Sequence, residues 1–190
     1  MGLFMDGDGI PLAFSITAGN TNEQTTLTPL EEKILEDFKL SKFIVCTDAG
    51  LASNANRKFN DKDERAFITT QSIKKLKKHL KDWALNPNGW HLFGDKKDYN
   101  INDIEKDETS TEVYKDRIFF KERWIKENDL EQKLIVTYSL KYRNYQRQIR
   151  NSQIERAKLA IANKNFKLDK CNQNDFKRFI KKTNITKDGE

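Results

Sequence analysis

The sequence predicts an α/β chain with a mixed sheet, an α+β arrangement in which hairpin strands and crossover strands occur together. Three observations carry that prediction. Two apolar runs, Gly2-Leu3-Phe4-Met5 and Ile10-Pro11-Leu12-Ala13-Phe14-Ser15-Ile16, flank Asp6-Gly7-Asp8-Gly9. A helical stripe of Leu27, Leu30, Ile34 and Phe38 follows. Then Phe43-Ile44-Val45-Cys46-Thr47 runs into Asp48, with Ala49-Gly50 behind it.

The first element is a hairpin, because Asp-Gly between apolar runs supplies the positive φ that a tight reversal needs. Asp6 and Asp8 therefore read as turn formers. Ala18-Gly19-Asn20-Thr21-Asn22-Glu23 is loop by composition. Thr28-Pro29-Leu30-Glu31 then predicts a helix start, with Thr28 as N-cap, Pro29 at the first helical position and Glu31 closing a capping box. The apolar run to Thr47 reads as a short buried strand, in which Cys46 serves as a small hydrophobe. A carboxylate at the carboxyl end of such a strand lies where an α/β sheet places its chemistry, and its hard oxygens suit a divalent cation. The plainer reading is that Asp48 caps the next turn.

Hairpin, helix and acid-ending strand, in that order, form the middle of an RNase H-like fold. The stretches Gly2–Ile16, Gly19-Asn20-Thr21-Asn22-Glu23 and Cys46-Thr47-Asp48-Ala49-Gly50 resemble the DDE transposases of bacterial insertion sequences, in the subgroup with a β-rich insertion after the second acid. The resemblance is most specific in residues 2–70. It implies DNA cleavage and strand transfer by three carboxylates holding two Mg²⁺ or Mn²⁺ ions. Asp48 matches the second acid, which makes it the candidate catalytic and metal-binding residue. The family's first Asp lies on a strand before the hairpin, and its Glu lies in a Trp-x-Ile-Glu-x-x-Phe motif; neither occurs here. The resemblance therefore implies a transposase fragment, truncated at both ends and inactive alone, since one Asp cannot place two ions. Glu155, in Gln153-Ile154-Glu155-Arg156, lacks the Trp and reads as a surface partner of Arg156. Three segments are expected: a partial core at 1–85, a β-rich insertion at 86–140 and a basic helical segment at 141–190.

Beyond Asp48, residues 52–59 suggest a short helix and 66–70 a strand beside the one that ends in Asp48. Ser72 is placed to cap a helix with Ile73, Leu76, Leu80 and Trp83 on one face. Lys74, Lys75, Lys77, Lys78 and Lys81 surround that face, either against a DNA backbone or as a solvated surface. In the insertion, residues 95–111 look like loop. Strands are expected at 115–125 and 134–138, separated by the polar stretch 126–132. Trp90, Trp124 and Tyr138 read as core aromatics rather than as a site. A long helix is expected over 142–163, with Tyr142, Tyr145 and Ile149 on one face and Arg143, Arg147 and Arg150 around it. A short helix is expected over 175–182.

Charge sharpens the nucleic-acid reading. The chain carries a net +6, yet residues 141–182 hold 13 Lys/Arg against 3 Asp/Glu, a net of +10. A basic segment of that size is an electrostatic footprint for phosphates, or else an ordinary solvated helix surface. Two functional classes result. One is a transposase fragment. The other is a non-catalytic DNA-binding regulator that competes for the element ends or forms mixed oligomers; a homo-oligomer is the further partner expected. Hydrophobic content of 36% beside 34% charge is polar for a globular chain and fits a piece cut from a larger core. No apolar run approaches the roughly 18 residues of a membrane span, and the start lacks a basic signal region, so a cytoplasmic location with no membrane partner is the default. Cys46 and Cys171 make no pairing pattern, and His79 and His91 have no ligand spacing around them.

Overall fold

A computed structural model describes residues 2–40, 42–163 and 175–180. The chain is mixed helix and sheet, but the expected mixed sheet does not form: among the described residues the first hairpin, the parallel strand pair and the last three strands make three separate sheets. It divides into two compact units, one of Met1–Asn86 with Glu122–Ile135 and the other of Pro87–Lys121 with Val136–Glu190. Cys171 and the end of the expected helix at 175–182 lie outside the described residues.

In the first unit, β1 (Gly2–Met5) and β2 (Pro11–Ser15) pair antiparallel, with a register shift at Phe4/Met5. Asp6 closes the turn as expected: its carboxylate accepts from the amides of Asp8 and Ile10 at 3.0 and 2.8 Å, and Gly9 takes φ +84°. Helix α1 (Leu27–Asp37) follows, then β3 (Ile44–Thr47), α2 (Asn54–Phe59) and β4 (Ala66–Thr69). β3 and β4 are parallel, with Val45 opposite Phe67 and Thr47 opposite Thr69. Helix α3 (Lys78–Leu85) buries Leu80 and Ala84.

In the second unit, the base of the hairpin β6 (Ile118–Glu127) and β7 (Leu130–Ser139) pairs with β5 (His91–Leu92) in the order β5-β6-β7. Helices α4 (Ile101–Lys106) and α5 (Glu108–Val113) and the long α6 (Leu140–Ala162) complete it. Phe119 is fully buried, and Tyr99, Tyr114 and Tyr138 ring it with centroids 5.4 to 6.5 Å away. Edge-to-face contacts of this kind add to the area term of a core.

Several expectations are corrected. Thr28 does not cap α1. A 3₁₀ turn at Glu23–Thr25, capped by Asn22, runs into the helix, so Thr28 is already helical and its hydroxyl donates to Asn56 Oδ1. Glu31 turns inward instead of closing a capping box: it is fully buried, and the Asn60 amide donates to both its oxygens at 3.0 Å. Cys46 is exposed, not buried, because only the Val45 face of β3 is covered. Ser72 makes no side-chain cap. The segment splits into a 3₁₀ turn at Ile73–Lys75 and α3, with Leu76 extended between them. Like-charged lysines three and four residues apart disfavour one continuous helix there.

The stretch 95–111 is not loop. Asn100 and Asp107 cap α4 and α5, and Ile101 and Ile104 go into the core. Nor is 126–132 a polar connection, since β6 and β7 meet through a two-residue turn in which Asn128 and Asp129 both take positive φ. That is the geometry whose twist matches a hairpin. Trp124 is 63% exposed, with the Lys133 ammonium 5.5 Å from its ring. Glu155 pairs with Lys158 at 2.8 Å, not with Arg156. The residues expected as a short helix from 175 form a 3₁₀ turn, Phe176–Phe179.

Candidate functional site

Asp48 stands immediately beyond the carboxyl end of β3, exposed to solvent. Its Oδ1 accepts the Gly50 amide at 2.8 Å, so the turn fixes the carboxylate and leaves the second oxygen outside that bond. The main chain is fixed as well. The Thr69 hydroxyl donates to the Asp48 carbonyl at 3.2 Å, and the Thr47 hydroxyl donates to Thr69 Oγ1 at 3.0 Å. This pair of threonines ties the ends of two parallel strands together directly under the acid.

Gly50 shows how tight the turn is. A Cβ there would stand 3.0 Å from Asp48 Oδ1 and 3.7 Å from Glu23 Oε2. Glu23 thus shares the turn with Asp48, a neighbour that sequence reasoning quoted within a motif but gave no role. The residue that brings them together, also missed, is Asn56. Nearly buried on α2, its amide donates to the carbonyls of Gln24 at 3.0 Å and Leu51 at 2.9 Å, buckling the Glu23 loop to the turn after Asp48. Ser53, which caps α2, accepts the Asn56 amide at 3.1 Å. A Ser followed three residues later by Asn was the only local signal, and it indicated a helix start rather than a buckle.

The inner face of this sheet is packed. Leu27 of α1 and Leu51, together with Asn56 of α2, line one small depression with Val45 and Phe67. Burial pushes the Glu31 carboxyl above its ordinary value of 4.5, against the Asn60 hydrogen bonds and the charge of Arg65. Asp48 and Glu23 supply hard oxygen donors at the turn, but among the described residues no group of three or more His, Cys, Asp or Glu could hold a metal ion. That donor set falls short of what two clamped cations take.

The expected DNA-contacting residues fall into two sets, one in each unit. In the first unit, Lys74, Lys75 and Lys78 are exposed and Lys81 is half-buried, whereas Lys77 pairs with Glu127 at 3.1 Å. The first turn of α3 carries no acid. In the second unit, Arg143 and Arg147 are committed to Glu105, at 2.7 and 3.4 Å. The Tyr138 hydroxyl donates to the same carboxylate. Burial pushes Glu105 up, yet Tyr138 and Arg143 outweigh it and hold the carboxyl below its usual value. Burial and that hydrogen bond push Tyr138 up to about 12. Arg150 is exposed and, among the described residues, reaches Asn151 at 3.5 Å. The arginines expected to meet phosphate therefore divide: two serve the unit's own fold and one faces solvent.

No helix among the described residues is long and apolar enough to cross a membrane. Comparison of the chain with protein-family models, curated proteins and solved structures finds no match.

Proposed function

We propose that this chain is part of a DDE-type transposase and carries Asp48 as one of the three carboxylates of its catalytic centre. The observation that supports the reading is the order of the first unit. An antiparallel hairpin, a helix and a parallel strand pair deliver an exposed acid at a strand end, with its carboxylate oriented by Gly50 and its main chain held by Thr69. An acid at the carboxyl edge of parallel strands is where open α/β sheets put their sites. In this reading the partner is DNA at the element ends, and Mg²⁺ or Mn²⁺ belongs to the complete enzyme with all three acids. The chain by itself neither cuts nor joins DNA.

The test is to sequence and translate the DNA on both sides of the reading frame. The expected result is an Asp-bearing strand upstream and a Trp-x-Ile-Glu-type helix downstream. Finding neither overturns the transposase reading. Mn²⁺-dependent nicking of supercoiled DNA by the purified chain, lost in Asp48→Ala, would overturn the claim that it is inactive alone.

A second reading is a non-catalytic DNA-binding regulator. It is favoured by the net +10 over residues 141–182 and by the exposed lysines before and within α3. Specific binding to the element ends by a cooperatively folded chain, with affinity falling steeply as salt rises, is its expected signature.

A further inference from the structure

We infer that the exposed tyrosine stripe of α6 is a stacking surface for an unpaired DNA strand. The inference rests on the nucleic-acid reading above and adds to it the form of DNA recognised.

Tyr142 and Tyr145 stand on successive turns of α6, 64% and 55% exposed. Their ring centroids are 6.4 Å apart and their planes tilt by 37°. Of the unit's other large aromatics, Trp90, Tyr99 and Phe119 are buried, while Phe93 and Phe179 are exposed; Tyr142 and Tyr145 are exposed and in ring contact with each other. Tyrosine offers a flat apolar ring for a base and a hydroxyl for water at little entropic cost.

The charge of the helix is arranged for the same partner. From Lys141 to Ile154 α6 carries no carboxylate. Glu155, the first acid, is paired with Lys158. Arg143 and Arg147 turn to Glu105, which leaves Lys141, Arg150 and Arg156 exposed on the helix, and of these Lys141 and Arg156 lie on the side of Tyr145. At about 100° per residue, Arg156 falls within about 20° of Tyr145 around the helix, three turns further on. Lys141 precedes Tyr142 directly, and its one acidic neighbour, Asp116, is 3.9 Å away across open surface. Between the two cations Gln148 and Ser152 are exposed and neutral. The stripe thus presents rings bounded by positive charge with no carboxylate on its own line, complementary to a phosphate backbone with bases turned out.

Duplex DNA hides its base faces, so rings of this kind discriminate for unpaired strands, whereas cations alone do not. Base stacking is insensitive to salt; phosphate contacts release counterions and set the salt slope.

The experiment is fluorescence anisotropy of the full chain with a labelled single-stranded oligonucleotide and with its duplex, across a salt series. The expected result is tighter binding of the single strand. Tyr142→Ala and Tyr145→Ala should each weaken it by about tenfold without changing the salt slope. Tyr145→Phe should retain affinity, and Arg156→Gln should lower the slope by about one. Equal affinity for both forms, unmoved by the tyrosine variants, overturns the stacking surface and leaves the DNA reading standing. Binding of neither form overturns both. All three positions are solvent-facing, and circular dichroism of each variant confirms that α6 is intact.

Discussion

The two units bury their apolar residues in different ways. The second gathers a core around one ring: Phe119 is fully buried and Trp90, Tyr99, Ile101, Ile104 and Leu140 are nearly so, while Phe93, Leu159 and Ile161 stay at its surface. The first is covered on one side only. Val45 is buried against the helices, while Ile44 and Ile68, on the opposite face of the same strands, are 65% and 63% exposed. The hairpin β1–β2 repeats the pattern, with Leu3, Met5 and Phe14 exposed along one face. Parallel strands are ordinarily covered on both faces. The unit that presents the candidate acid is therefore the one with an open layer, and the acid is held by hydrogen bonds instead of by a closed core.

The comparison breaks first at Phe119. Phe119→Ala removes the centre of the aromatic cluster and should cost about 3–5 kcal/mol, lowering the urea midpoint of the second unit. Trp90 packs edge-on against Tyr138 at 5.7 Å and provides the fluorescence signal. A cost under about 1 kcal/mol would mean that the cluster is not a core.

Next in size is Asn56→Ala. The change strips donors from the Gln24 and Leu51 carbonyls and opens the buckle between the Glu23 loop and Asp48. Leaving such groups unsatisfied should cost about 2–3 kcal/mol. The amide signals of residues 23–24 and 48–51 should move together in NMR spectra. If only one segment moves, Asn56 does not couple them.

These two residues also mark the limit of what the sequence made legible. Asp6-Gly7-Asp8-Gly9 specified its hairpin because turn chemistry is local, and the apolar run before Asp48 marked the strand for the same reason. The parallel partner at residues 66–69 and the long helix after residue 140 followed from apolar runs and periodicity. Asn56 was invisible because its partners lie 32 and 5 residues away, and a polar side chain in a short helix has no pattern that announces burial. Glu31 misled because its spacing from Thr28 satisfies a capping box, while tertiary contact with Asn60 took it inward. Cys46 misled because an apolar run does not say which of its two faces is covered. Helices α4 and α5 hid in a polar stretch because two short caps, Asn100 and Asp107, organise them, and their few apolar residues fall below any periodic signal.

Glu31 sharpens the view that the first unit depends on buried polar groups. Burial raises its carboxyl above 4.5, so the fold favours the neutral form. The stability this confers is fully present below about pH 4.5 and is lost as pH rises through the folded value. Glu31→Gln should therefore gain stability relative to the wild type as pH goes from 4 to 7, read as a growing Tm difference in the variant's favour. A difference between the two proteins that stays flat with pH would show that Arg65 and Asn60 fully offset the burial.

The smallest expected effect tests the open layer directly. If Phe14 and Ile68 face water in the folded chain, Phe14→Ser and Ile68→Thr should change stability by no more than about 0.5 kcal/mol. Val45→Ala, on the covered face of β3, should cost about 1–2 kcal/mol, because it removes methyl groups from a packed site. The contrast between neighbouring residues of one strand pair is the informative quantity, since chain length and unfolded-state effects largely cancel within it. Costs at Phe14 and Ile68 that approach or exceed the cost at Val45 would mean that these faces are covered in solution. Sedimentation velocity on the same variants separates the sources. A second copy would give a heavier species that the substitutions dissolve, whereas a monomer throughout would place the cover within the chain itself.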